Sequence, residues 1–248
     1  MTQQQDSGAR TPSTPDPAVL RGMPLFAGLD RDALAEVARE ARTRRIARGA
    51  AVFAQGDEAA AGHALIDGRV KIAQASADGQ RVVMRFIGPG EMFGTLAMFT
   101  GGTYPADAVA VSDCVEIHWS AAAMTALMER HPRIALNALG IVGRRLCEVQ
   151  NRLRELSTER VERRIAHALL RLARQAGRPV EAGVAIGFPL SRQDLAEMTG
   201  TTLHTVSRTL SAWEAQGIVE GGRQRVVIRQ PQALIAVTEE RTGPPPAG

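Results

Sequence analysis

The stretch of residues 191–213, Ser-Arg-Gln-Asp-Leu-Ala-Glu-Met-Thr-Gly-Thr-Thr-Leu-His-Thr-Val-Ser-Arg-Thr-Leu-Ser-Ala-Trp, decides how this chain is read. Ser191 and Asp194 have the S-x-x-D form of a capping box, and Leu195 and Met198 follow on one face. Gly200 supplies a tight turn, and Thr202 can cap a second helix. Val206, Leu210 and Trp213 fall at i, i+4 and i+7 of that helix and form its buried stripe. The opposite face then carries His204, Ser207 and Arg208, with Thr205 beside them. Two short helices over residues 192–198 and 203–216 make a helix-turn-helix whose second helix offers small polar and basic side chains to a major groove. A hairpin follows, through Ile218-Val219, Gly221-Gly222 and residues 225–228, and places Arg223 and Arg225 as a wing against phosphates. The same spacing also suits an ordinary helical hairpin, so the motif alone leaves both readings open.

Working back along the chain, Leu139, Val142, Leu146, Val149, Leu153 and Leu156 recur at intervals of 3, 4, 3, 4 and 3. Arg144, Arg145, Glu148, Arg152 and Glu155 flank them, so the apolar seam is narrow, which favours a two-stranded homodimeric coiled coil over a helix buried in a monomer. This helix starts near His131-Pro132, with the proline placed for a first turn. Residues 163–175 read as another helix, ended by Gly177-Arg178-Pro179, and residues 184–188 as a strand. Residues 44–119 have a different texture. Short apolar segments at 51–53, 63–66, 69–73 and 82–87 are separated by Gly49, Gly56, Gly68, Gly79, Gly88 and Gly90. Val109, Val111, Val115 and Ile117 then alternate with other residues, the pattern of an all-β sandwich or jelly roll. Residues 25–42 read as a short helix or a pair of helices, capped by Asp30.

Composition narrows the function classes. Of 248 residues, 30 are Lys or Arg and 26 Asp or Glu, a net charge of +4. Only Lys71 is a lysine, and the other basic residues are arginines. The charge is uneven: residues 1–138 hold 14 basic and 15 acidic groups, and residues 139–248 hold 16 and 11. A neutral front and a basic back fit two modules, the second facing a polyanion. Two cysteines, Cys114 and Cys147, cannot build a disulfide framework or a four-cysteine metal or iron–sulfur site. No apolar run is long enough to span a membrane, and the polar start lacks a signal peptide, so a cytoplasmic address is expected. No G-x-S-x-G, Walker A or H-E-x-x-H motif is present, and no metal site is evident, so an enzyme is not expected.

Residues 191–213, preceded by the long helix and the glycine-punctuated β region, resemble the Crp/Fnr family of bacterial transcription regulators, and the likeness runs over roughly residues 20–236. Stretches such as residues 79–99 and Arg163-Arg164-Ile165-Ala166 share it. The resemblance implies an α+β chain. Residues 1–18 form a disordered tail and 19–130 a cyclic-nucleotide-binding-like jelly-roll effector domain. Residues 131–158 form the dimerisation helix, 159–237 a winged helix-turn-helix and 238–248 a second tail. Double-stranded DNA, a second copy of the chain and RNA polymerase are the implied partners. Members that bind cyclic AMP use a G-E-L segment followed by Arg-Ser for ribose and phosphate. Here Gly94-Thr95-Leu96 and Pro105-Ala106 stand at those places. Val149 and Gln150 replace the two hydroxyl residues that reach the adenine. Proline offers neither charge nor N–H to a phosphate, so this pocket is expected to be degenerate toward cyclic nucleotides. Without a cysteine before Cys114, the iron–sulfur mechanism of the oxygen-sensing members is excluded.

The recognition stretch 201–213 also resembles a branch that responds to nitrogen oxides, some of whose members are thought to use haem. A haem-dependent nitric-oxide or redox sensor is therefore an alternative, with His63, His118, His131, Met92, Cys114 or Cys147 as ligand candidates, none singled out by spacing. A jelly-roll regulatory subunit acting through protein contacts is the alternative from another class. For DNA, Arg208 is placed to bond guanine O6 and N7. Ser207 matches the serine of the oxygen-sensing members. His204 stands where the family has a glutamate. Thr202, Arg223 and Arg225 suit phosphates, which position the protein without specifying sequence, and Arg192 is counted with the DNA-binding residues. A dimer joined along residues 139–156 implies recognition helices about 34 Å apart and a palindromic operator.

Overall fold

The computed structural model describes residues 14–95 and 102–239. Most of the two expected tails, together with residues 96–101 and so Leu96, lies outside that range. The expected tail of residues 1–18 runs into a helix at its C-terminal end. Asp16 accepts the Ala18 N–H and caps a short helix, α1 (Pro17–Leu20), with proline at its first position. Leu20 is fully buried and anchors it, and a 3₁₀ turn (Pro24–Phe26) buries Leu25 and Phe26 beside it. Helix α2 (Arg31–Glu40) starts where Asp30 accepts the Ala33 N–H at 2.9 Å.

Eight strands follow: β1 (Arg42–Ile46), β2 (Ala51–Phe53), β3 (Ala61–Asp67), β4 (Val70–Ala75), β5 (Arg81–Ile87), β6 (Met92–Phe93), β7 (Asp107–Ala110) and β8 (Cys114–Ser120). They pair antiparallel into two four-stranded sheets, ordered β1-β8-β3-β6 and β2-β7-β4-β5. This is the all-β sandwich or jelly roll expected from the alternating segments. Gly68 is required at its turn: its φ is +91°, and a Cβ there would stand 2.4 Å from the Asp113 carbonyl oxygen. The buried Trp119 indole donates to the Val37 carbonyl at 2.9 Å, fastening α2 onto β8.

Helix α3 (Ala121–Arg130), capped by Ser120, runs over His131 into α4 (Pro132–Thr158), 27 residues long. After it come α5 (Val161–Ala176), β9 (Gly177–Val180), β10 (Gly183–Ile186), α6 (Arg192–Thr199), α7 (Leu203–Ala215), β11 (Val219–Gly222), β12 (Arg225–Ile228) and α8 (Pro231–Glu239). One expectation is corrected here. Gly177-Arg178-Pro179 does more than stop a helix, because it forms strand β9, with Pro179 opposite Val184. Proline is tolerated there because β9 is the edge of the sheet β11-β12-β10-β9.

The hydrophobic core does not stop at the domain boundary. Ala73, Val83 and Phe86 of the β4–β5 pair belong to the same buried cluster as Ile165, Leu169, Leu195, Val206 and Leu210.

Candidate DNA interface and effector cavity

The helix-turn-helix forms as its local chemistry dictates. The Ser191 hydroxyl accepts the Asp194 N–H at 3.0 Å while Asp194 accepts the Ser191 N–H, completing the capping box. Gly200 closes α6 in the left-handed conformation, φ 60° and ψ 45°. Thr202 then caps α7 by accepting the Thr205 N–H at 3.1 Å. Val206, Leu210 and Trp213 are buried as the spacing required. His204 and Arg208 are exposed, and Thr205 and Ser207 are half-buried beside them. No acidic group lies within ion-pair distance of Arg208 among the described residues, so its guanidinium fork is free for a base edge or a phosphate.

The wing is the β11–β12 hairpin. Arg223 and Arg225 are exposed at its tip, Arg225 standing 3.9 Å from Glu220. Arg192 sits apart from the recognition face, bonding Glu214 near the far end of α7 at 3.2 Å.

A seam of contacts fixes this module to the jelly roll, and little in the sequence announced it. Lys71 of β4 donates to Asp194 of α6 at 2.7 Å. Burial pushes the Asp194 carboxyl up, but the hydrogen bonds from Lys71 and Ser191 outweigh it and hold the group below the usual aspartate value. Phe86 and Phe188 pack with ring centroids 4.7 Å apart, and Arg69 stacks over Phe188 at 4.8 Å. From α4, Arg152 donates to the carbonyls of Val83 and Met84 on β5 and to that of Met198 on α6. Desolvation, aided by the nearby Arg171, pushes its pKa down to about 10, which still leaves it charged near neutrality. At the other edge, Arg48 donates to the side chain of Gln224 in the wing turn at 2.9 Å.

Between the jelly roll and α4 lies a cavity of about 850 Å³. Its sheet side includes Phe53, Ile72, Ile87, Phe93 and Pro105, and its helix side Ala138, Ile141, Arg145 and Leu146. Tyr104 stacks on Phe53 at 3.7 Å between ring centroids and closes the inner end. Its hydroxyl donates to the Ala61 carbonyl and stands 3.1 Å from His63 Nε2.

Comparison with known proteins matches residues 163–237 to a Crp-like helix-turn-helix domain and residues 43–131 to a cyclic nucleotide-binding domain. The cyclic AMP receptor protein of Thermus thermophilus is 33% identical over 87% of this chain and 96% of its own length. The chain belongs to the Crp/Fnr family. The nitrogen fixation regulation protein FixK of Azorhizobium caulinodans is 31% identical over 76% of this chain and 75% of its own. In fold, the regulator is similar to the structure of FixK2 from Bradyrhizobium japonicum, with a TM-score of 0.70 at 24% identity over 79% of this chain and 96% of that one. It is accordingly a transcription regulator with a helix-turn-helix DNA-binding domain.

This Crp/Fnr regulator brings most of its expected pocket residues together. Gly94, Thr95, Pro105, Ala106 and Val149 all line the cavity, whereas Gln150 is exposed outside it. Among the haem-ligand candidates only Met92 lines it. His63 is held between the Tyr104 hydroxyl and Glu116, His118 faces Glu116 at 3.7 Å, and His131 bonds Glu36 at 2.7 Å. Cys114 is buried, its thiol pushed above its usual pKa by burial, and Cys147 is exposed on α4. A haem iron in this cavity would meet a thioether but no imidazole or thiolate from these candidates, so the expected ligand set does not fit. The sequence pattern had marked Arg145 as a flank of the seam, and nothing in the spacing showed that it also reaches the cavity. Lys71 could have been noticed as the single lysine, though no pattern located its partner.

Proposed function

We propose that this regulator works in the cytoplasm as a homodimer joined along α4, binds a palindromic operator, and receives its signal in the cavity between the jelly roll and α4. The observation that carries the reading is the seam. Leu139, Val142, Leu146, Val149, Leu153 and Leu156 are 40–69% exposed in the single chain. Soluble monomers seldom leave so continuous an apolar stripe in water, and a second α4 would cover it. Dimerisation would set two recognition helices about one DNA turn apart, presenting Arg208, His204 and Ser207 twice to a two-fold symmetric site. Thr202, Thr205, Arg223 and Arg225 would hold the phosphates, Arg192 being engaged by Glu214 away from the recognition face, and RNA polymerase would be the protein partner at a promoter. A cyclic nucleotide is not the expected signal, because Thr95, Pro105 and Ala106 supply neither the carboxylate nor the arginine such a ligand would need.

The test is footprinting on the promoter next to the protein's own gene. Wild type should protect a palindrome. Arg208→Ala should lose the specific footprint, about 1–3 kcal/mol for each base pair read, while keeping its fold and dimer mass. Continued protection of the wild-type site by the variant would refute the role of Arg208. Absence of any DNA shift by wild type at low salt would refute the operator reading and favour a regulatory subunit that acts on protein.

A further inference from the structure

Helix α4 has a second face, turned toward its own protomer. It runs Ile134, Ala138, Ile141, Arg145, Glu148, Arg152, Glu155, so that it is aliphatic in its first half and charged in its second, with Glu148 exposed and near Arg85. Of the two arginines that line the cavity, one has a charged partner and the other does not. Arg85 pairs with Glu91, and Arg152 is held by three carbonyls of β5 and α6. Arg145 has a single bond, donated to the Met92 carbonyl at 2.9 Å, and no carboxylate within 4 Å among the described residues. A guanidinium carries five N–H donors, and Arg145 lines a cavity whose other walls are mainly aliphatic and aromatic, with Gln74, Arg85 and Thr95 as the other polar side chains.

Such a site rewards one kind of ligand. Among the described residues no Asp or Glu lines the cavity, so ribose hydroxyls would find no carboxylate acceptor there, and desolvating a sugar and a phosphate without partners is costly. An apolar body, by contrast, gains from every contact with Phe53, Ile72, Ile87 and Met128, and one carboxylate satisfies Arg145 through a two-toothed, charge-assisted pair. We infer that the cavity binds an apolar monocarboxylate, such as a medium-chain aliphatic acid, with its carboxylate on Arg145 and its body between the β2-β7-β4-β5 sheet and α4. At about 850 Å³ the space lies within the usual range for small-molecule sites. Leu139, Val142, Leu146 and Val149 form the outer wall, and the same residues belong to the dimer seam. Ligand and partner helix would therefore touch opposite sides of the same side chains, which links occupancy to the geometry of the dimer.

The inference rests on the cavity being the regulator's signal site, but its test reads binding alone. Calorimetry of the full-length protein with dodecanoate, below its micelle concentration, should show one site per protomer with Kd on the order of 10 μM. Dodecanol should bind at least about 10-fold more weakly, since it lacks the charge-assisted pair. Arg145→Gln should abolish that preference without changing dodecanol binding. Arg145→Glu should reverse the preference toward dodecylamine. Both changes fall on a half-exposed helix position, and circular dichroism should show the wild-type fold for each. Equal binding of dodecanoate and dodecanol, an unchanged preference in Arg145→Gln, or tighter binding of cyclic AMP would overturn the inference. So would dissociation of the dimer on adding dodecanoate, which would show the probe replacing the partner helix. An operator shift measured in parallel separates the two readings: carboxylate binding without DNA binding would refute the regulator assignment and sustain the ligand class.

Discussion

Replacing Lys71 with methionine keeps the aliphatic stem on β4 and removes the charge that reaches across to α6. The lost contact is a 2.7 Å bond between ionised groups whose side chains are 21% and 12% exposed. Bonds to charged partners are worth about 1.5–3 kcal/mol, and stranding a fully buried charge costs ~3–5 kcal/mol. Ser191 still donates its N–H and hydroxyl to Asp194, at 3.0 and 2.6 Å, so the expected loss is nearer the lower range, about 2 kcal/mol. For a chain of this size that lowers the melting temperature by about 4–8 °C.

The pH dependence adds a second check. Because Asp194 is held below its usual pKa, the folded state binds its proton less tightly than the unfolded chain does. The stability it contributes is therefore complete above about pH 4, its unfolded value, and fades as pH falls through the lower folded value. Thermal unfolding followed by circular dichroism should show the full gap between wild type and Lys71→Met at pH 7 and a progressively smaller one as pH falls below about 4. A double-mutant cycle with Asp194→Asn should be non-additive. A melting temperature within about 1 °C of wild type at pH 7, a gap undiminished in acid, or strict additivity would refute the argument.

Three further outcomes follow from the same structure. Leu146→Glu combined with Leu153→Glu places charges in the apolar seam and should give a monomer by light scattering; a dimer mass would count against the α4 interface. Trp119→Phe should cost about 1–2 kcal/mol in urea unfolding, because it leaves the buried Val37 carbonyl without its donor; an unchanged midpoint would show that the bond is immaterial. Gly68→Ala should destabilise by more than about 2 kcal/mol, since it combines a φ of +91° with a Cβ driven into the Asp113 carbonyl and the Cys114 thiol. Soluble expression at the wild-type melting temperature would contradict that geometry.

What the sequence disclosed follows the range of the forces involved. The capping box at Ser191, the cap at Thr202 and the i, i+4, i+7 stripe of Val206, Leu210 and Trp213 are local. They could be read residue by residue, and the structure has them as read. The jelly roll was legible as a class because glycine turns recur between short apolar strands. Its pairing order was not, since β1 finds β8 across some seventy residues and no local pattern encodes that choice. Strand β9 was missed because Gly177 and Pro179 signal a break, and only the sheet edge makes them acceptable. Among the site residues, Thr95, Pro105 and Ala106 were placed through family resemblance. Arg145 was hidden because a helix position reveals which residues flank a seam, but not which cavity a flanking side chain enters.

The shared core beneath the seam bears on how the molecule can be taken apart. Ala73, Val83 and Phe86 are buried only because Leu195, Phe188 and their neighbours cover the β4–β5 pair. A fragment ending at Thr158 would lose the α6 and Phe188 cover over those three side chains and expose part of the β4–β5 surface to water. The two halves should therefore melt in one cooperative transition, and the N-terminal half expressed alone should be sticky and poorly soluble. The chain has two modules in its plan but a single folding unit in its energetics.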